Sequence, residues 1–456
     1  MNRIVSTVLL IVGIWYLTPN TSENSFKDRK LNRNKETTGI KRVGVTCYLN
    51  TVLQVLNTSD KFIFYLKNAY MHIKVLDSIR AYNKHDDVYK LHVFLFDVIS
   101  RLQDGNKSIC INIKEIRQLE TIMGITLLQQ NDWLEILEKL VDVLERERKI
   151  LASCLKNYQK SEHYVNIQQQ ITKSDQLLQL PFYGMLAIKS YCSSCKKKQR
   201  PRKNETQSEK ILSLMIDMTQ IDSTNNSFEK AFTKSFYENI EAYNCSYCSL
   251  SFLVERNKNI DPTLKRRFDN DDIFINDEIK LKNDQIIKTN LVRMSKFTKY
   301  PDILIVSLNR FKWTYNQQFL RVHDVYTDFP KILYLHGHKY KLINLVKHSG
   351  GVRTGGHYQV FRRKPTLIKN KYTNIKTKKL ELIDYDLKNR IDMQKKQKNV
   401  DDSMKLNSSL EFDPSEKDLN DFFLINDEKS KQTSLLYDIN PNHSNSITGV
   451  VYELVY

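Results

Sequence analysis

No aromatic-and-basic signature of an RNA-binding sheet and no basic recognition helix occurs in this chain. That absence weighs against a nucleic-acid partner, although 71 Lys and Arg stand against 52 Asp and Glu, a net charge of +19. Such a charge otherwise suits nucleic acid or an anionic membrane surface. The basic residues are scattered and thickest in segments that read as disordered. An even cysteine count is missing as well. The seven cysteines, four of them in two C-x-x-C pairs, read as metal plus catalysis in a reducing compartment, not as a disulfide framework. A full-length bilayer span is also lacking: the uncharged apolar run IVSTVLLIVGIWYL (4–17) falls short of a comfortable ~20 residues. No small-residue A-x-A cleavage site follows it. At 456 residues the length allows about two or three structural units.

The N-terminal run is bounded by Arg3 and the Thr18–Pro19 break, and Trp15 and Tyr16 sit where an interfacial anchor places aromatics. Lys27, Arg29, Lys30, Arg33 and Lys35 would hold the following flank on the cytosolic side. Residues 1–19 are therefore expected to form a signal anchor and 20–38 a flexible tether, with the rest of the chain cytosolic. A signal-peptide core and a buried first helix remain the alternatives.

In GIKRVGVTCYLNTVLQVL (39–56), Cys47 follows a Gly-containing turn and opens an apolar pattern at helical spacing through Leu49, Val52, Leu53 and Leu56. A thiol at a helix N-terminus feels the positive end of the macrodipole, which favours the thiolate, the attacking species in acyl transfer. A buried structural cysteine is the plainer alternative. The pattern stays mainly helical to about residue 180, with Trp133, Leu137, Leu140 and Leu144 recurring on one face. A polar, Gln-rich loop is expected over 158–176.

From residue 181 the texture turns to short strands. Cys192–Ser193–Ser194–Cys195 and Cys245–Ser246–Tyr247–Cys248 predict two turns presenting four thiolates to one structural zinc ion. A redox C-x-x-C is the alternative. Residues 254–290 read as a charged, irregular insertion. PDILIVSLNRF (301–311) and YKLINLVKHSG (340–350) predict strands, followed by GGVRTGGHYQVFRR (350–363), where Gly355 and Gly356 permit close backbone approach before a strand bearing His357. Alone, His357 would be an ordinary structural or surface histidine. Residues 364–418, rich in Lys, Asn and Asp, read as disordered or as a solvated insertion. Order is expected again at DFFLINDEKS (421–430) and in the terminal strand ITGVVYELVY.

Taken in order, these pieces resemble the ubiquitin-specific protease family of papain-like deubiquitinating cysteine peptidases. GVTCYLNTVLQVL resembles its Cys box, NDWLEIL its Q-D-A-x-E-[FL]-L helix, and the two C-x-x-C pairs its zinc ribbon. PDILIVSLNRF with the stretch through His357 resembles its His box, and LIND its closing F-[ND]-D motif. The resemblance implies an α+β fold of thumb–palm–fingers architecture within a catalytic domain over 39–456. Its parts would be a helical thumb (39–180), fingers with the ribbon (181–253), the insertion (254–290), palm and His box (291–363), the second insertion (364–418) and closing palm strands (419–456). It implies Cys47 as nucleophile, His357 as base and Asn426 as the group orienting the imidazole, with Asp427 beside it and no catalytic cofactor. Ubiquitin and ubiquitinated proteins are the implied partners, with Asp132 and Glu135 pairing the arginines of ubiquitin's tail; ordinary helix-surface charge is the alternative for these two.

The chain departs from the family where an Asn usually sits five residues before the nucleophile and donates to the oxyanion. Arg42 stands there, Val45 replaces a second Asn, and Trp133 replaces a small residue. Arg42 either donates in its place or points to solvent, leaving backbone N–H groups such as that of Cys47. The expected function is a membrane-anchored deubiquitinase, with a catalytically weak ubiquitin-binding module as the alternative. The anchor is similar to that of the yeast mitochondrial outer-membrane member of the family, which implies that membrane, with the endoplasmic reticulum as runner-up. A lumenal or secreted papain-like protease would instead carry glycans at sequons such as Asn204–Glu205–Thr206.

Overall fold

The structure, a computed structural model, describes residues 38–79, 88–103, 108–159, 178–196, 208–220, 228–256, 260–270, 286–313, 319–321, 329–350, 355–363, 422–433 and 446–455. The expected anchor, the tether except for Thr38, nearly all of the expected loop (158–176) and the Lys/Asn-rich segment (364–418) lie outside them. Among the described residues no helix is long and apolar enough to cross a membrane.

The chain opens with strand β1 (Ile40–Lys41) and helices α1 (Cys47–Thr58), α2 (Asp60–Ile79) and α3 (Lys90–Gln103). Strand β2 (Ile109–Cys110) and helices α4 (Ile113–Met123) and α5 (Trp133–Gln159) follow. Next come β3 (Gly184–Cys192), β4 (Ser208–Ile211), β5 (Ser213–Asp217), α6 (Phe228–Lys234) and β6 (Tyr237–Asn244). Helices α7 (Ser246–Glu255) and α8 (Pro262–Asp269) precede β7 (Lys288–Lys299), β8 (Ile303–Asn309), β9 (Phe311–Trp313), β10 (Phe319–Arg321) and β11 (Ile332–Leu335). Strands β12 (His338–Gly350), β13 (Gly356–Arg363), β14 (Phe422–Asn426), β15 (Lys429–Thr433) and β16 (Ile447–Val455) complete this mixed α/β chain. Contacts divide it into two compact units. One combines the chain up to Leu180 with the end of β12 and with β13–β15; the other combines Pro181–Leu342 with β16.

In the first unit α1 is buried along its whole length, polar residues included, so its apolar stripe explains only part of its burial. The polar positions are satisfied: Gln54 Nε2 donates to Thr38 O at 2.8 Å, and Gln54 Oε1 accepts from Arg362 Nη1 at 2.8 Å. Helix α1 packs against α2, α3, α5 and β13. A buried polar cluster ties the helices together: Glu147 of α5 takes the Leu91 N–H (2.9 Å), the His92 N–H (3.1 Å) and His92 Nδ1 (2.6 Å), and His92 Nε2 meets the Tyr65 hydroxyl at 2.7 Å. On α5, Trp133, Leu137, Leu140 and Leu144 are buried, as their spacing predicts. Helix α4 starts on a reciprocal Asn112–Glu115 capping box and stops at Gly124 in the left-handed conformation. Strands β12, β13, β14 and β15 pair antiparallel in that order, Ser349 opposite His357 and Asn426 opposite Lys429.

In the second unit β4, β3, β7 and β6 form an antiparallel sheet, while β8 pairs parallel with β5 and antiparallel with β16. Arg310 is fully buried and donates from Nε to Ile447 O at 2.8 Å, and Tyr340 reaches Pro301 O at 2.7 Å. Of the expected irregular stretch 254–290, residues 257–259 and 271–285 lie outside the described residues, 254–255 end α7, 288–290 begin β7, and one further part needs correction. Asp261 accepts from Thr263 N at 2.7 Å and Pro262 takes the first helical position, so residues 262–269 form α8.

Candidate active site

Cys47 is the first residue of α1 and only 4 % exposed. The residue before it, Thr46, makes no side-chain cap to the helix; its Oγ1 instead accepts from Val43 N at 3.2 Å and closes the turn. Thr46 thus leaves the first-turn N–H groups uncapped by its own side chain, and Cys47 stands at the positive end of the macrodipole. Sγ has a 3.9 Å contact with Val45 O.

His357 lies near the start of β13, the strand packed against α1. Its Nε2 is 2.6 Å from Asn426 Oδ1 on β14. An amide oxygen only accepts, so Nε2 carries the proton and the lone pair resides on Nδ1. Nδ1 is buried and has no hydrogen-bond partner among the described residues. The nitrogen suited to take a proton is thus the one left open. Burial, with the Asp132 carboxylate beside it, holds the Tyr358 hydroxyl well above its ordinary value.

Asp427 follows Asn426 at φ 50, in the left-handed region. Its Oδ1 accepts from Asn50 Nδ2 at 2.8 Å and its Oδ2 is 3.9 Å from His357 Nε2. Before His357, Gly355 takes φ +79, and a Cβ there would meet the Gln130 amide. A Cβ on Gly356 would run into the His348 ring. Both glycines answer a steric demand beside the base.

Arg42 is exposed and folds onto its own turn, Nε donating to Gly44 O at 2.7 Å. Asp132 and Glu135 are exposed. Asp132 is more than surface charge: Oδ1 caps α5 by accepting from Leu134 N at 2.8 Å, and Oδ2 accepts from the Tyr358 hydroxyl at 2.7 Å. Asn50, Tyr48, Asn131 and Tyr358 escaped the sequence reading. Asp132 and Glu135 at capping-box spacing before an apolar helix were the legible signal for the cap.

In the second unit Cys192 ends β3, Cys195 follows in a turn, and Cys245 and Cys248 sit at the start of α7. The four sulfurs lie within 4.8 Å of one another, with Cys192–Cys248 at 3.7 Å and Cys195–Cys245 at 3.9 Å. A tetrahedron of Zn–S bonds of about 2.3 Å sets its sulfurs about 3.8 Å apart, so the donor set fits zinc. Burial pushes the Cys245 thiol up to about 12, and a dication is what lets such a crowded set ionise together.

A thiol at a helix N-terminus, an imidazole held through one nitrogen by an asparagine, and a mixed α/β scaffold together describe a cysteine hydrolase. The chain belongs to the ubiquitin carboxyl-terminal hydrolase family, whose sequence model matches residues 38–400. A search of curated proteins finds no match. Among solved structures it is similar to the SAGA Ubp8/Sgf11/Sus1/Sgf73 DUB module bound to ubiquitin aldehyde, at 14% identity and a TM-score of 0.52 over 93% of this chain and 71% of that one. It is also similar to that module bound to monoubiquitin (14%, TM-score 0.52, 95% of this chain and 74% of that one). A yeast SAGA DUB module with a mutant Sgf73 gives 13%, a TM-score of 0.51, and 93% and 70% coverage. At these identities the likeness is one of fold.

Proposed function

We propose that this protein is a deubiquitinase that hydrolyses the peptide or isopeptide bond after the C-terminal Gly of ubiquitin. The observation that carries the reading is His357, with Nε2 held at 2.6 Å by Asn426 Oδ1 and Nδ1 buried and unpartnered among the described residues, on a strand packed against the helix that Cys47 opens. Nδ1 takes the thiol proton as sulfur attacks the Gly carbonyl, then returns it to the departing amine. Water next enters against the same base, releasing ubiquitin and restoring the thiol. With Arg42 turned onto Gly44, the oxyanion is received by backbone N–H groups at the start of α1, including that of Cys47. Asp132 and Glu135 offer exposed carboxylates to the arginines of the tail.

In this reading the helices up to residue 180 serve as thumb and the ribbon-bearing strands as fingers. One zinc ion on Cys192, Cys195, Cys245 and Cys248 stabilises the ribbon and takes no part in the chemistry. An N-terminal anchor, supported by the apolar run 4–17, holds the chain with its basic flank on the cytosolic side, at the mitochondrial outer membrane that its resemblance to the yeast member's anchor implies.

The test is covalent labelling of the full chain by ubiquitin carrying a C-terminal electrophile. An adduct lost in Cys47→Ala is expected; no adduct at any pH overturns the enzymatic reading in favour of a binding module. Carbonate-resistant sedimentation with purified mitochondria is expected for the anchor, and a glycosidase-sensitive gel shift overturns the cytosolic orientation.

A further inference from the structure

Two consecutive residues hold the hydroxyls of the two tyrosines that flank the catalytic pair. Tyr48 follows Cys47, and its hydroxyl accepts from Asn131 Nδ2 at 3.0 Å. Tyr358 follows His357, and its hydroxyl donates to Asp132 Oδ2 at 2.7 Å. The loop that carries Asn131 and Asp132 is itself fixed at both ends. Glu120 Oε1 of α4 accepts from Leu127 N (2.7 Å) and Leu128 N (3.3 Å), and the Tyr48 hydroxyl donates to Leu127 O at 2.5 Å. Asn131 Nδ2 also reaches Thr126 O at 3.0 Å, and Asp132 Oδ1 caps α5 through Leu134 N at 2.8 Å. Tyr48 and Tyr358 are buried at 1% and 9% exposure, so neither hydroxyl has a cheap alternative in bulk water.

From this we infer that Asn131 and Asp132 are positioning residues: a two-residue clamp that sets the Cys47–His357 geometry through Tyr48 and Tyr358. The inference rests on the proposed roles of Cys47 and His357. The nucleophile and base sit on separate elements, α1 and β13, and proton transfer between them depends steeply on their separation. A misplacement of about 1 Å costs on the order of a hundredfold in rate. Both elements meet the same short loop one residue from each reacting group. The bond from Tyr358 ends on a carboxylate, which makes it the stronger of the two. Asp132 then has two duties, tail recognition and positioning, and Tyr358→Phe removes only the second.

The experiment compares Tyr48→Phe and Tyr358→Phe in the full chain by two readouts. One is turnover of ubiquitin bearing a fluorogenic C-terminal amide; the other is the pH profile of Cys47 alkylation by iodoacetamide, which needs no ubiquitin. The clamp predicts that each variant loses roughly tenfold to a hundredfold in kcat with KM little changed, and that the alkylation profile moves to higher pH. An unmoved profile with wild-type kcat overturns it. So does a loss confined to KM, or a lower melting temperature with an unmoved profile. If a Phe variant does not fold, Asn131→Ala removes the bond to the Tyr48 hydroxyl without altering either tyrosine and is read the same way. A chain in which alkylation shifts as predicted but ubiquitin is never turned over sinks the ubiquitin reading and leaves the clamp standing.

Discussion

Asn50 and Asp427 are joined by a 2.8 Å hydrogen bond, Nδ2 donating to Oδ1, that ties the helix of Cys47 to the turn beside His357's partner. The backbone reinforces the tie. Ile40 N donates to Asp427 O at 2.9 Å, and a side chain on Gly39 would collide with the carbonyl of Glu428. Asp427 holds φ 50 in this turn, a conformation ordinary residues adopt only when their surroundings enforce it.

The first prediction follows from the two distances to His357 Nε2, 2.6 Å from Asn426 and 3.9 Å from Asp427. Asn426→Ala should cost more in kcat than Asp427→Ala. Asn50→Ala should resemble Asp427→Ala, at roughly tenfold, because it removes the same restraint. Losing the base itself, in His357→Ala, should cost about a hundredfold to ten-thousandfold. Turnover kinetics on the four variants check the order. An Asp427 effect exceeding that of Asn426 would make Asp427 the group that orients the ring.

Arg42 supplies a second prediction. Loss of a working oxyanion donor costs about a hundredfold to a thousandfold. Because Arg42 is exposed and its Nε is spent on Gly44 O, Arg42→Ala should fall far short of that, within about threefold of the parent rate. Arg42→Asn, which restores the family's usual residue, should raise kcat. A hundredfold loss in the alanine variant would mean that the arginine swings inward during turnover.

Zinc removal separates stability from chemistry. Chelation or Cys245→Ser should lower bound zinc from one ion per chain, read by elemental analysis. It should also open the ribbon around β3, β6 and β7 to limited proteolysis. Alkylation of Cys47 should persist, because the cluster and the thiol belong to different units. Loss of Cys47 reactivity together with the metal would show that the ribbon supports the site itself.

Much of this arrangement was legible because it is local. The turn before Cys47, the period of α5, the C-x-x-C pairs and the strands around His357 are all patterns within a dozen or so residues. What stayed hidden was either long-range or double-purposed. Nothing near Tyr48 announces that its hydroxyl meets Asn131, and nothing near Asn50 announces Asp427. Those pairings exist only once α1 has packed against the loop before α5 and against the turn after β14. Asp132 reads in the sequence as a tail-binding carboxylate or as surface charge, and neither expectation contains its bonds to Leu134 N and the Tyr358 hydroxyl. Helix α8 hid for a different reason: its charged composition masked the Asp261–Pro262 start signal, and none of its residues is buried, so no apolar stripe marks it.

Glu147 offers a test of what holds the helical unit together. Its carboxylate satisfies two backbone N–H groups and His92 Nδ1 in a place where water does not reach. Glu147→Ala leaves those donors buried and unpaired, and should cost about 3–5 kcal/mol in urea unfolding. Glu147→Gln keeps one acceptor and should cost less, about 1–3 kcal/mol. Equal losses would mean that packing, not the carboxylate's bonds, dominates.

His336 and His338 flank Gly337 in the turn between β11 and β12, and both rings pack on Tyr300, at 6.1 and 4.0 Å between centroids. Burial pulls both imidazoles below 6.5, and for His336 the positive charge of Lys296 and of His338 adds to the effect. The unfolded chain therefore binds more protons here than the folded one, and stability rises with pH across this window. The contribution is fully present above 6.5 and is lost as pH falls from there through the lower folded values. Denaturant midpoints should drop on acidification through that range. His338→Phe, which keeps the stack on Tyr300 but cannot titrate, should flatten part of the drop. A variant curve parallel to the parent's at every pH would assign the acid sensitivity to other groups, His72 among them, whose imidazole burial also holds low.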